Sequence, residues 1–261
     1  MDLPWILVPL FFVTAALYTS GGFGGGSTYT ALLSLGEVAT PLIPIISLSC
    51  NLTAVASGQG RTLDFRQVPG KDLLLLLLVS TPGNLLGSWI ALPADVFRLF
   101  SGLMLVYAGI SLGFRSFRVS QSRETPSGKK RSKQSLFLAG TFSGLLAGLT
   151  GIGGGIYLAP WLYATKRYTP KQVAAITALF IGFNSLVGLG VRLVRGIPIS
   201  GSGFFPLVSV LGLAVFFGGQ VGSRWRAGDT QGNIIRYSVS FLIVFAGFAT
   251  LCRILLFTIF K

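Results

Sequence analysis

Histidine is absent from the 261-residue chain, acids number only seven against 21 lysines and arginines, and there are two cysteines. With no histidine, no paired carboxylates and no metal cluster, an intramembrane enzyme has no credible catalytic set. Cys50 and Cys252 sit inside separate apolar runs with no CxxC spacing, which leaves a disulfide framework and a metal site unsupported. Charged residues reach 11%, where a soluble domain carries about 25%. Such a chain cannot cover a core with polar surface, so a soluble globule, a disordered chain and a stapled secreted domain are excluded. In abundance are glycine, at 35 residues, and hydrophobic types, at 51%, with a mean hydropathy of +0.72. A polytopic membrane protein remains.

The apolar runs support this. Leu3 to Ser20, Leu73 to Leu92, Leu99 to Phe114, Ser135 to Thr150, Val173 to Val191, Phe204 to Val221 and Tyr237 to Cys252 approach the length needed to cross the bilayer, about 20 residues for about 30 Å of hydrocarbon. Thr28 to Leu35, Leu42 to Ser57 and Ile156 to Thr165 are shorter or more polar and are expected as half-spans. The runs are continuous rather than alternating, and lipid offers no partner to an open backbone, so the predicted class is all-α, a bundle of about seven to eight spans plus half-helices. The N-terminus lacks a basic n-region and is followed by more apolar runs, which argues for a first span rather than a cleaved signal.

Seven basic residues (Arg115, Arg118, Arg123, Lys129, Lys130, Arg131, Lys133) against Glu124 alone fill the stretch from Arg115 to Lys133, a third of all the lysine and arginine. The positive-inside rule places this linker in the cytoplasm, against anionic lipid headgroups. No basic stripe interleaved with aromatics is present, so nucleic acid is not an expected partner. The loop from Gly58 to Lys71 carries the same sign, which predicts a hairpin leaving at Asp72, turning near Pro93 to Asp95 and returning at Arg115. Arg192, Arg195, Arg224, Arg226 and Arg253 read as loop residues.

The linker (116–134) separates an N-terminal repeat (1–115) from a C-terminal one (135–261). Gly22-Phe-Gly-Gly-Gly26 recurs as Gly151-Ile-Gly-Gly-Gly155 at an offset of 129, and Thr40-Pro41 as Thr169-Pro170 at the same offset. Gly87-Ser88 answers to Gly222-Ser223, Tyr107-Ala108-Gly109 to Phe245-Ala246-Gly247, and Arg98 to Arg236. Internal duplication is typical of secondary transporters, although duplication can be merely structural.

Five glycines in the six positions from Gly21 to Gly26 cannot continue a helix, since each costs about 1 kcal/mol against alanine. The helix should break there and at Gly151 to Gly155. Broken backbone at membrane depth must be satisfied by protein or water, so both breaks are expected to line a cavity. A helix starting at such a break, with Ser27 or Thr28 as its cap, presents bare N–H groups and the positive end of its dipole, which suits an anion. Close helix packing is the plainer role for the same glycines. The missing lysine excludes a P-loop, and neither cluster completes GxGxxG. Past each break come Thr-Pro and a helix bearing polar groups: Ser47, Ser49, Asn51 and Thr53 in one half, Thr177, Asn184 and Ser185 in the other. These contact substrate or bond between helices.

With GxGGG closing the first apolar helix of each half, best seen in Leu149-Thr-Gly-Ile-Gly-Gly-Gly-Ile-Tyr-Leu-Ala-Pro160, with hydroxyl-bearing helices after it and a basic mid-chain linker, the sequence resembles the sulfite exporter TauE/SafE family, also called the 4-toluene sulfonate uptake permeases. Pro160 has no counterpart in the first half, where Ala31 stands. The resemblance implies a multi-pass protein of a bacterial inner membrane that moves sulfite, thiosulfate, sulfonates or related small anions.

The expected substrate site therefore comprises Gly22, Gly24, Gly25, Gly26, Ser27, Thr28, Ser49, Cys50 and Asn51 from the first half. From the second half it takes Thr150, Gly151, Gly153, Gly154, Gly155, Tyr157, Thr177 and Asn184. No cofactor and no metal is expected. Glu37 alone among the acids lies away from evident loops and is the sole candidate for proton coupling, so facilitated diffusion or anion exchange is expected.

Overall fold

The computed structural model describes residues 5–59, 68–121, 133–165, 167–196, 204–224, 237 and 240–252. These form α1 (Leu7–Ser20), α2 (Gly26–Leu35), α3 (Ile43–Ala54, prolonged by a π-helical turn Val55–Gln59), α4 (Gly70–Trp89), α5 (Ala94–Gln121), α6 (Lys133–Thr150), α7 (Gly155–Ala164), α8 (Pro170–Val194), α9 (Phe204–Arg224) and α10 (Ser240–Cys252). No strand occurs among the described residues, and the class is all-α. The stretches Gly70–Trp89, Ala94–Ser111, Pro170–Val194 and Phe204–Arg224 are long and apolar enough to span a bilayer, and α1, α3, α6 and α10 are shorter apolar helices. At ten residues each, α2 and α7 rise about 15 Å, half the hydrocarbon thickness. Exposed Leu78, Leu86 and Trp89 on α4 and Phe205 and Phe217 on α9 turn outward, where lipid would be their solvent. The basic stretch 122–132, Lys166, Arg226, Arg236 and Arg253 lie outside the described residues.

Local chemistry sets the helix starts. Thr169 caps α8 by accepting from Gln172 N at 3.2 Å while Gln172 Oε1 accepts from Thr169 N at 3.0 Å, with Pro170 at the first helical position, a reciprocal box that satisfies two otherwise orphaned donors. The equivalent Thr40-Pro41 precedes α3 by a turn instead, and Pro44 lies within the first turn. α4 and α5 follow each other across 90–93, where the charges predict a turn, but they do not form a packed hairpin: α4 lies against α6 and α8, and α5 against α7.

α1 and α2 fold back on each other. Leu7 meets the position of Gly36, Phe11 stacks on Tyr29 with centroids 4.6 Å apart, and Tyr18 reaches Ser27, so the chain reverses at the glycine break. The second break reverses α6 into α7 in the same way, with Gly154 against Ser143 and Ala147.

Helix crossings recur reciprocally between the halves. On α4, Gly83 and Gly87 abut the carbonyls of Thr141 and Leu145 of α6. On α9, Gly218 and Gly222 abut the carbonyls of Phe12 and Ala16 of α1. The glycines differ by 135 and the carbonyls by 129, so each contact is the sequence-repeat counterpart of the other. At these crossings a side chain would occupy the space of facing backbone, which is how small residues let membrane helices approach. α5 and α10 meet each other directly, Gly102 against Leu251 and Gly247, and Gly109 against Val244. The first helix of each half thus packs against the fourth helix of the other.

Candidate functional site

Both breaks are built from glycines in the left-handed region: Gly22 (φ +85°) and Gly25 (φ +89°) in the first, Gly151 (+70°), Gly153 (+84°) and Gly154 (+78°) in the second. An L side chain there costs about 1–2 kcal/mol, so the turn needs glycine. Gly25 and Gly154 are the N-caps of α2 and α7, and neither helix has a side-chain cap. At α7 the Tyr157 amide bonds back to Gly154 O at 3.1 Å, whereas the amides of the first two residues of each short helix precede its hydrogen-bond ladder. The breaks pack reciprocally onto the opposite half: a Cβ at Gly22 would stand 2.5 Å from that of Ala174 on α8, and one at Gly151 would stand 2.7 Å from Pro44 Cα on α3.

The two breaks meet at Asn51, on α3 and fully buried. Its Nδ2 donates to the carbonyl of Ile152, in the second break, at 3.0 Å. A Cβ at Gly24 would lie 2.6 Å from Asn51 Oδ1, one at Gly26 2.8 Å from the same atom, and one at Gly153 2.9 Å from Nδ2 and 3.0 Å from Ser185 Oγ. One amide is thus wedged between the equivalent glycines Gly24 and Gly153, at the N-terminal ends of both half-helices. Among the described residues, Asn51 Oδ1 and Ser185 Oγ are buried without a hydrogen-bond partner. Unpartnered buried polar atoms cost about 1–3 kcal/mol each, which makes this junction a poor place for them unless something else is to occupy it.

The expectation of an open lining changes here. Residues 22–30 and 150–156 are buried, and the glycines lie against side chains or backbone of α3, α6 and α8. Close packing and the polar junction are therefore properties of the same glycines. Ser27 and Thr28 do not cap α2. The left-handed Gly25 takes that position, and both hydroxyls are engaged by Tyr18 Oη at 3.0 and 2.6 Å. Thr177 donates within α8 to Val173 O at 2.7 Å and makes a long 3.5 Å contact with Gly22 O. Thr150 donates to Leu146 O at 2.7 Å, and Tyr157 Oη lies 3.5 Å from the Thr150 hydroxyl.

Three expected residues fall elsewhere. Ser49 is half-buried and, two residues from Asn51, points to the opposite side of α3. Cys50 joins the apolar cluster of Phe11, Tyr29 and Ile46. Asn184 faces α4, where Asn84 Nδ2 donates to its Oδ1 at 2.8 Å and its own Nδ2 donates to Ser80 Oγ at 3.1 Å. The neighbouring Ser185, and not Asn184, turns toward the breaks. Glu37 is exposed just past α2, at φ +60°, away from Asn51.

A family model described as "Sulfite exporter TauE/SafE" matches residues 7–250. The chain belongs to this family. A probable membrane transporter protein, y4hK, of Sinorhizobium fredii (strain NBRC 101917 / NGR234) is 31% identical over 179 residues, covering 69% of this chain and 72% of the relative. A probable sulfite/organosulfonate exporter TauE of Cupriavidus necator (strain ATCC 17699 / H16) is 25% identical over 189 residues, covering 68% and 69%. No solved structure matches. As a TauE/SafE member the protein is a multi-pass membrane transporter and not an enzyme.

This family member also carries a buried cation that apolar runs alone do not reveal. Arg192 lies inside α8, not in a loop, and is 5% exposed. Its guanidinium donates to Ser88 Oγ at 3.0 Å on α4, to Gly188 O at 3.1 Å, and to Gly148 O at 2.6 Å near the end of α6. One of these acceptors, Gly148 O, lies in the last turn of α6, the favourable end of a helix for a cation. Ser80, Asn84 and Ser88 on α4 face Asn184, Gly188 and Arg192 on α8, each set at i, i+4, i+8 spacing, and that double periodicity is the signal in the sequence. At the α7–α8 turn, Arg167 pairs with Asp72 at 2.9 Å and Tyr168 Oη donates to the same carboxylate oxygen at 3.0 Å. Burial and this carboxylate push the Tyr168 phenol above its ordinary pKa.

Proposed function

We propose that the protein carries small anions, sulfur oxyanions or organosulfonates foremost, across a bacterial inner membrane by alternating access, with the substrate held where the two glycine breaks converge. The observation that carries this reading is the meeting of two uncapped helix N-termini at Asn51, beside a second unpartnered polar atom on Ser185. Uncapped N-termini favour negative charge through free amides and dipole together, and interrupted helices at mid-depth are where transporters hold substrates. The exporter name borne by the Cupriavidus relative supports sulfur-containing anions. The chain acts as one transport unit of two repeats, 1–115 and 135–261, joined by the basic linker at 116–134 against anionic headgroups.

In this reading the enclosed packing of the breaks is an occluded arrangement, and transport requires the α2 and α7 ends to part from α3 and α8. Gly22, Gly24, Gly25, Gly26, Gly151, Gly153, Gly154 and Gly155 shape the site, Asn51 is its centre, and Thr150, Tyr157 and Thr177 support its walls. Movement is uncoupled or by anion exchange, with the exposed Glu37 the candidate for proton coupling among the described acids, since Asp72 and Asp95 stand in the first turns of α4 and α5.

The test is flux of labelled sulfite, thiosulfate and sulfonates into proteoliposomes, with a thermal-shift screen of the purified protein against the same anions. Gly25→Leu and Gly154→Leu should insert in the membrane and lose flux. Undiminished flux in both variants rejects the site. Currents far above carrier turnover would replace the carrier with a channel-like pore, and saturable binding without flux would make the protein a sensor or assembly subunit.

A further inference from the structure

Within the site proposed above, the donors and acceptors are unevenly matched. The ends of α2 and α7 offer N–H donors, and the Ser185 hydroxyl can donate as well. Asn51 Oδ1, by contrast, accepts and cannot donate. Its orientation is not interchangeable with that of Nδ2: the Ile152 carbonyl, itself an acceptor, stands 3.0 Å from Nδ2 and requires a donor there. The amide is thereby locked with its oxygen toward Gly24, just ahead of α2, and its nitrogen nearer Gly26 and the second break, so that Oδ1 is buried and unpartnered. A plain anion, which brings acceptors only, satisfies the N–H groups and leaves this oxygen orphaned.

We infer that Asn51 is a specificity-determining residue that selects anions carrying an O–H or N–H donor next to the charged group, such as hydrogen oxyanions and hydroxy- or amino-substituted sulfonates or carboxylates. The ligand's charged end takes the helix amides, and its donor closes the last open bond at Oδ1. Discrimination follows from the ligand that lacks the donor. It desolvates the amide oxygen and returns nothing, the circumstance in which a polar site rejects an analogue most strongly.

The experiment compares pairs of nearly isosteric anions on the purified wild-type protein, by calorimetric binding and by competition in proteoliposomes: ethanesulfonate against 2-hydroxyethanesulfonate, and propionate against 3-hydroxypropionate. The hydroxylated member of each pair should bind at least about tenfold more tightly. Ser185→Ala should weaken both members alike and keep the ratio, whereas Asn51→Leu should bring the ratio to about one while the N-termini still hold anion. Equal affinities within both pairs overturn the inference and leave the anion site standing. Absence of binding by all four anions, with sulfite and thiosulfate also failing, removes the site itself. Repeating the titration in sodium and in choline salts supplies the third reading: if sodium alone raises the melting temperature and equalises the pairs, a cation occupies Oδ1 and the donor inference falls.

Discussion

Replacing Gly153 by alanine separates backbone strain from crowding of the junction, because a matched control exists in the same chain. Gly196 has φ +65° and nothing within 4 Å of where a Cβ would stand, whereas Gly153 has φ +84° with Asn51 Nδ2 at 2.9 Å, Ser185 Oγ at 3.0 Å and Ile181 Cγ2 at 3.1 Å. Gly196→Ala therefore meets only the left-handed penalty of about 1–2 kcal/mol. Gly153→Ala meets the same penalty and must also push three neighbours back to ordinary contact at about 3.5–4.0 Å. A retreat of that size by the amide breaks its bond to Ile152, adding about 1 kcal/mol. The expected loss is about 2–3 kcal/mol against about 1–2 for the control, read as detergent-solubilised melting temperatures. Flux should separate the two variants more widely than stability does. Gly196→Ala should transport normally, and Gly153→Ala at least about tenfold more slowly, since displacement by less than an ångström spoils a preorganised site. Equal stability losses with equal flux would refute the reasoning.

Gly190 lies within α8 with open space where a Cβ would stand, so Gly190→Ala should raise stability by about 0.5–1 kcal/mol with flux unchanged, as measured by thermal melting and uptake. Arg192→Met removes the donors to Ser88 and Gly148 and should cost about 2–3 kcal/mol in the same melting assay. Arg192→Lys should recover only part of that loss because one ammonium cannot reproduce the planar fork. The neutral phenol of Tyr168 is favoured in the folded protein, so its hydrogen bond to Asp72 stabilises below about pH 10 and is lost as pH rises through the elevated folded pKa. Tyr168→Phe should accordingly be less stable than wild type by about 1 kcal/mol at neutral pH, and the two should converge in strongly alkaline melts.

The helices are legible in the sequence because lipid demands continuous apolar runs, and the half-spans because glycine clusters interrupt them. The expected runs Thr28 to Leu35 and Ile156 to Thr165 match α2 and α7 within two residues at each end. Other features turn on rotation or on distant partners. Asn184 and Ser185 are neighbours in the chain but lie about 100° apart around α8, and since that helix is buried on several sides, hydropathy cannot choose between them. Arg192 ends an apolar run and so reads as a loop residue, although α8 continues to Val194. Asn51 is visible as a polar group on an apolar helix, but its partner Ile152 is 101 positions away. Ser27 and Thr28 look like caps until a left-handed glycine takes the position ahead of them.

The exchanged glycine crossings bear on what can move as a unit. α1 is clasped by α9, and α6 by α4, so neither stretch of chain on its own side of the linker is a self-contained piece. Any sliding or tilting would carry hybrid slabs, each made of a hairpin from one repeat and a pillar from the other. The covalent linker then tethers partners already interlocked.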